Sequence, residues 1–324
     1  MRAVQLSCHG RPEVLEIVDL PSPVPGAGQV LVEVEAAGVN YMDVYAREGG
    51  GNYALPLPQV PGAEGAGKVV MVGDGVEGLS VGDTVAWKAA PGSYAEQVVV
   101  STREVIRVPG QLDVETAAAL MLQGMTAHYL ATSTYAVQPG DPVLVHAAAG
   151  GVGQLLTQIV KLRGGRVIAT VSTDEKEALA RAAGADEVVR YDRGDFAPTV
   201  RELTDGRGVT AVYDGVGAAT FEGSLASLRR RGILVLYGAA SGPVPPFNLQ
   251  RLNPAGSLFV TRPTLVDYTA TREELEERAD DILSWVTDGR LKVNIGGRYP
   301  LENARSAHED LQARRTTGKL LLRP

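Results

Sequence analysis

The chain has 324 residues, room for two domains of ordinary size, and its 44% hydrophobic content is enough for a substantial core without disulfides. Its net charge of -7 argues against a general nucleic-acid binder, and the single cysteine, Cys8, has no partner within the chain and fits a reducing compartment. No apolar stretch is long enough to span a bilayer and no apolar leader precedes a cleavage site, so the expected location is the cytoplasm.

The first third reads as β-structure punctuated by turns. Strand-like runs fall at residues 1–6, 15–18, 30–37, 65–72, 84–86, 94–100 and 105–108, separated by a proline-rich connector at 21–26 and by Gly73, Gly75, Gly78 and Gly82. This spacing predicts a barrel-like or partly open sheet. Helical patterning starts at 113–120 and resumes at 123–134. From Pro142 onward strands (143–147, 167–171, 187–190, 209–214, 232–237, 257–260) alternate with helices (153–163, 176–183, 197–204, 219–228), which predicts a doubly wound parallel sheet. The basic triplet Arg229-Arg230-Arg231 reads as a solvated helix end before Gly232. A helix at 273–287, β-like residues at 290–301 and a last helix at 303–313 follow. The apolar run 320–322 is expected to return a strand to the first domain and so make that domain discontinuous.

The most informative stretch is 142–163. An apolar run meets His146-Ala147-Ala148-Ala149-Gly150-Gly151-Val152-Gly153, and an amphipathic segment follows. Strand, tight turn and helix in that order, with a second strand at βαβ spacing, favour a dinucleotide site over a plain turn. Glycine lets the chain bend sharply and lets a phosphate approach the backbone, while the helix start presents N–H groups and a positive dipole end. The ribose-reading position lies at the end of the second strand, roughly 20 residues past the turn. There the chain has Ser172 and Thr173, with Lys176 one helical turn on. Hydroxyls plus an ammonium suit a 2′-phosphate, which favours NADPH over NADH. An inward-turned Asp174 or Glu175 would weaken that preference. Ser172 or Thr173 can also cap the helix beginning near Asp174, and both roles can hold together. His9, His128, His146, His308 and Cys8 show no metal-ligand spacing, so no zinc is expected. His128 and His146 read as core residues.

Gly140-Asp141-Pro142-Val143-Leu144, Ala148-Ala149-Gly150-Gly151-Val152-Gly153, Gln158 and Lys161 resemble the quinone oxidoreductase/zeta-crystallin signature. Residues 37–43, 61–67, 81–85, 259–263 and 317–319 extend the resemblance over essentially the whole chain. It is nearest to the bacterial NADPH:quinone reductases of the zinc-free medium-chain dehydrogenase/reductase branch. Zinc alcohol dehydrogenases typically carry cysteine where Asn40 stands here, and histidine where Ala63 precedes Glu64. The resemblance implies an α/β fold in which a GroES-like domain (residues 1–122 and 265–324) holds an inserted Rossmann domain (residues 123–264). It also implies a homodimer formed through residues 258–264.

Reducing a quinone or conjugated carbonyl delocalises the developing charge, so hydride transfer needs positioning more than a Lewis acid. The segment that replaces the zinc ligands supplies Asn40, Asp43 and Tyr45. Asn40 offers an amide, and Tyr45 offers a hydroxyl on an apolar body suited to the nicotinamide ribose or a planar acceptor. Asp43 either orders the backbone or acts in chemistry. Glu64 holds the loop by hydrogen bonds, and Tyr53 either closes over substrate or anchors its glycine-flanked loop. By resemblance the cofactor meets Asn40, Tyr45, Thr126, the turn Gly150, Gly151, Val152 and Gly153, then Ser172, Thr173, Lys176 and Tyr191. Gly215, Gly217, Gly238 and Ser241 at strand ends follow, with Phe259, Val260 and Thr261 flanking the nicotinamide. Thr126 can instead serve helix packing, Tyr191 can be a half-buried surface aromatic, and Lys319 either approaches the cofactor or stands at the surface. The implied activity is NADPH:quinone reduction. A 2-alkenal, enone or enoyl-thioester reductase would use the same hydride. A regulatory or RNA-binding protein that holds NADPH is the reading from another class, and the acidic balance opposes RNA.

Overall fold

Period-2 alternation in the first third produces antiparallel pairs, and each strand buries its apolar face. The computed structural model describes residues 1–50 and 56–324. The strands are β1 (Arg2–Leu6), β2 (Leu15–Asp19), β3 (Gln29–Val39), β4 (Glu64–Val72), β5 (Thr84–Trp87), β6 (Gln97–Ser101) and β7 (Val105–Arg107). Helix α1 (Tyr41–Glu48) follows β3 directly, and α2 (Val114–Tyr129) ends in a π-turn at Leu130–Thr134. The alternating part comprises β8 (Pro142–Val145), α3 (Gly151–Leu162), β9 (Arg166–Val171), α4 (Asp174–Ala182), β10 (Glu187–Arg190), α5 (Phe196–Glu202), β11 (Val209–Asp214), α6 (Phe221–Ser227), β12 (Leu228–Leu236) and β13 (Phe259–Thr261). The chain continues through α7 (Arg272–Thr287), β14 (Ile295–Pro300), α8 (Ala304–Gln312) and β15 (Lys319–Arg323).

These elements form two compact units. The first comprises Met1–Gln123, Thr271–Gly289 and Val293–Pro324, and the second Gly124–Ala270 with Arg290–Lys292. In the first unit β1 pairs with β2, and a larger sheet runs β14-β15-β3-β4-β5-β7 with β6 also on β3. Its core gathers Val30, Val32, Trp87, Tyr94, Leu320 and Leu322. β15 lies antiparallel to β3, with Leu321 opposite Gly38, so the chain's last strand does return to the first domain. In the second unit the strands are all parallel in the order β10-β9-β8-β11-β12-β13, the doubly wound arrangement. Among the described residues no helix is long and apolar enough to cross a membrane.

Two local expectations need correction and one gap is filled. The segment after β3, to which the sequence assigns no element, is a helix. Asn40 precedes its first turn, Asp43 accepts the Asn40 N–H at 2.8 Å, and Gly49 closes it with φ of 71°. The expected helices at 113–120 and 123–134 are one helix, because the apolar run from Ala117 to Met121 is buried all round and packing overrides the break. Arg229, Arg230 and Arg231 open β12 instead of ending a helix. α6 stops at Ser227, and all three side chains stay exposed.

Candidate active site

In the first unit a buried polar cluster forms where β3, α1, β4 and β15 meet. Asn40 is 4% exposed, Asp43 3%, Glu64 0% and Lys319 1%. Asn40 Nδ2 donates to Glu64 Oε2 at 2.8 Å, and Asn40 Oδ1 accepts from Lys319 Nζ at 2.8 Å and from Gln123 Nε2 at 3.2 Å. Lys319 Nζ is ion-paired with Glu64 Oε2, while Glu64 Oε1 accepts the Leu122 N–H at 2.6 Å. The Asn40 amide therefore has one orientation, because only its oxygen can meet the two donors. Lys319 is no surface residue: β15 carries its side chain inward to a carboxylate that would otherwise be buried unpaired.

A second chain of bonds leads away from Asp43. Tyr94 Oη donates to Asp43 Oδ2 at 3.0 Å and lies 3.2 Å from His308 Nε2, and Arg47 Nη1 lies 3.2 Å from His308 Nδ1. Arginine can only donate, so Nδ1 accepts and Nε2 carries the imidazole proton to Tyr94. Burial, reinforced by Arg47, lowers His308 to about 3. Burial pushes Asp43 up to about 7 against the Asn40 N–H and Lys319, and it raises the Tyr94 hydroxyl well above its ordinary value. Arg47 is itself fully buried, donating to Gly10 O at 3.0 Å and Gln312 Oε1 at 2.9 Å. Tyr45 is half-buried on α1, its ring centroid 6.2 Å from that of Tyr41. Tyr53 lies outside the described residues.

Asn40 and Ala63, at the positions where zinc alcohol dehydrogenases carry cysteine and histidine, offer no ligands for zinc. Among the described residues no group of three or more His, Cys, Asp or Glu could hold a metal ion. The Lys319 ammonium already takes Asn40 Oδ1 and Glu64 Oε2, and the Leu122 N–H takes Glu64 Oε1.

In the second unit the glycine turn opens α3. Gly150 has φ of -76°, and the left-handed residue of the turn is Ala147 with φ of 50°. Gly153 is there for close packing, since a Cβ would lie 2.3 Å from Ala147 O. Among the described residues no side chain caps this helix start, which leaves first-turn N–H groups for an anion. Thr173 caps α4, its Oγ1 accepting the Lys176 N–H at 3.2 Å. Ser172 and Lys176 are half-buried beside it, and Tyr191 is 40% exposed just beyond β10. Two arginines absent from the expected set also stand here. Arg190 pairs with Asp174, and Arg193 Nη2 reaches Asp174 Oδ1 at 3.0 Å, so Asp174 faces guanidinium groups. Nothing local in the sequence points to them: the pairing of β10 with β9, which sets Arg190 opposite Val171, brings them here.

Gly215 and Gly217 follow β11, and Gly238 and Ser241 follow β12. These loops pack on each other. A Cβ on Gly238 would lie 2.4 Å from Gly215 O, Gly217 has φ of 93°, and Ser241 Oγ donates to Val216 O at 2.8 Å. Asp214, which the sequence reading passed over, organises the first loop. Its Oδ1 accepts from Val216 N at 2.8 Å and Gly217 N at 3.0 Å, and its Oδ2 accepts from Ser224 Oγ at 2.8 Å. Ser224 also meets His146 Nε2 at 3.0 Å, so His146 is a satisfied core histidine. Thr126 is buried on α2. Phe259, Val260 and Thr261 form edge strand β13, with Phe259 60% exposed.

Residues 26–110 match the alcohol dehydrogenase GroES-like domain, and residues 151–285 match the zinc-binding dehydrogenase family. A quinone oxidoreductase of Pseudomonas aeruginosa is 44% identical over 100% of this chain and 99% of its own. The solved structure of a mycobacterial protein in complex with NADPH superposes with a TM-score of 0.97 at 50% identity, covering 100% of both chains. The Escherichia coli quinone oxidoreductase solved with NADPH gives a TM-score of 0.97 at 40% identity, again over 100% of both chains. Identity of this order along the full length, with both domain models matched in turn, makes the chain a member of the quinone oxidoreductase family of medium-chain dehydrogenases/reductases.

Proposed function

We propose that this chain reduces quinones with NADPH and needs no zinc. The observation that carries the reading is full-length similarity to quinone oxidoreductases, two of its solved neighbours being NADPH complexes. The second unit fits that cofactor: an uncapped helix start behind a glycine turn suits a pyrophosphate, and the hydroxyl, ammonium and guanidinium groups at the end of β9 suit a 2′-phosphate. Gly150, Gly151, Val152 and Gly153 would hold the pyrophosphate, and Ser172, Thr173, Lys176 and Tyr191 the adenosine side. Gly215, Gly217, Gly238, Ser241, Thr126 and residues 259–261 would lie along the nicotinamide half. NADPH supplies the hydride.

The first unit would orient the acceptor. One Asn40 Nδ2 hydrogen is used by Glu64, and the other is the donor for an acceptor oxygen. Lys319 and Glu64 hold that amide still, so no reorganisation accompanies charge development at the oxygen. Tyr45 and Tyr53 would contact the planar acceptor or the nicotinamide ribose, and Lys319 acts through Asn40. Asp43 would order the start of α1 without touching substrate. Hydride from the cofactor and a proton from water complete the hydroquinone. The reading includes a homodimer joined along β13, where Phe259 leaves an apolar strand edge, and a cytoplasmic location.

Metal-stripped protein mixed with NADPH or NADH and 1,4-benzoquinone or a 2-alkenal tests this. Rapid quinone-dependent oxidation with NADPH preferred is expected. Turnover confined to the alkenal would replace quinone by an enone as the acceptor, and no turnover with either would overturn the enzymatic reading.

A further inference from the structure

We propose that Asp174 is a built-in competitor for the 2′-phosphate of NADPH, holding Arg190 and Arg193 where they can take that phosphate when it arrives. The inference rests on the NADPH reading and deepens it. β10 lies beside β9, which brings the Arg190 guanidinium to the strand end where this fold reads the ribose. Arg190 is fixed there. Its Nη2 donates to Ser172 O at 3.2 Å, and its Nε and Nη2 hold Asp192 at 2.9 and 2.8 Å. Its Nη1 meets Asp174 Oδ1, and Arg193 Nη2 donates to that same oxygen at 3.0 Å. The Arg190 side chain is only 10% exposed, whereas Arg193 is 64% and Asp174 83% exposed.

One solvated carboxylate oxygen thus collects two guanidinium groups. An ion pair this exposed is weakly held, so Asp174 can leave at little cost. A phosphomonoester carries nearly two charges and three acceptor oxygens, against one charge on the carboxylate. It can therefore displace Asp174, bridge both arginines and still accept from the hydroxyls at 172–173 and from Lys176. The ribose diol of NADH brings no charge and leaves the Asp174 pairs intact. Asp174 then subtracts from NADPH affinity alone, and Arg193 adds to it alone.

NADPH and NADH are titrated into wild-type protein, Asp174→Asn and Arg193→Gln, followed by nicotinamide fluorescence. Asp174→Asn should tighten NADPH about three- to tenfold and leave NADH within about twofold. Arg193→Gln should loosen NADPH about tenfold with NADH again unchanged. If Asp174→Asn leaves NADPH unchanged, or selectively weakens NADH, the competitor role is overturned. In the second case Asp174 reads the ribose diol. Wild-type protein that binds both dinucleotides equally would instead sink the NADPH reading, whatever the variants do.

Discussion

Gly38 offers a stringent test of the buried cluster. It lies in β3 directly beneath the Lys319–Glu64 pair. A Cβ there would sit 2.3 Å from Glu64 Oε2 and 2.7 Å from both Cε and Nζ of Lys319. Side-chain tips usually swing aside, but these are 1% and 0% exposed, and the other Glu64 oxygen is tied to the Leu122 N–H. Gly38→Ala must therefore part the pair or bend the strand. Overpacking costs about 1–3 kcal/mol and disrupting a buried pair about 3–5 kcal/mol, so a loss of about 3 kcal/mol is expected. Both tryptophans, Trp87 and Trp285, belong to the first unit, so urea unfolding followed by tryptophan fluorescence reads this unit specifically. In a Lys319→Ala background Glu64 has volume to move into, and the same substitution should cost only about 1 kcal/mol, a coupling of about 2 kcal/mol. A loss below about 1 kcal/mol in the otherwise wild-type protein would refute the claim that the pair is locked over Gly38.

Other consequences are equally direct. Asp43 stands near 7 when folded against about 3.9 when free, so between those values the folded state keeps a proton that the unfolded state releases. Its contribution is complete below about pH 4 and is lost as pH rises through about 7, on the order of 4 kcal/mol at most; Asp43→Asn should flatten that fall in urea unfolding repeated across pH. His308 runs the other way. Its folded value of about 3 lies below the free imidazole's, so stability is complete above about pH 6.5 and drains as pH falls, and His308→Gln should move acid unfolding to lower pH. Lys176→Ala should weaken NADPH about tenfold and NADH by less than about twofold, read by fluorescence titration. Gly151→Val should abolish binding of both dinucleotides with the circular dichroism spectrum unchanged, because a branched side chain would stand where the phosphate approaches.

The parallel sheet was legible because buried apolar strands and amphipathic helices differ in period, and each run from 142 to 261 is long enough to show it. The return of the last strand was legible from three consecutive leucines. The helix after β3 was not, although Asn40 and Asp43 have the spacing of a helix-start box, because its 8 residues are too few to show a helical period. At the end of β9, Ser172, Thr173 and Lys176 stand together in the sequence and in the fold because they are neighbours. Arg190 and Arg193 are not legible there from the sequence, because only the pairing of β10 with β9 brings them to it. Lys319 shows the same limit at longer range. Nothing local says that a lysine 279 positions from Asn40 is turned inward to meet it.

That separation has a consequence for how the protein is made. Almost all of the second unit is one uninterrupted stretch, 124–270, which can collapse while later residues are still being added. The first unit cannot. β3 emerges early, yet its partner β15 and the ammonium that neutralises Glu64 arrive only after the whole intervening stretch has been synthesised. Until then the 37–39 end of β3 lacks its partner on one side, although β6 already covers residues 29–33, and Glu64 carries an uncompensated charge. Loop-closure entropy over such a span makes this the slow step. Nascent chains should therefore pass through a state in which the second unit is complete and the first still waits for its final strand.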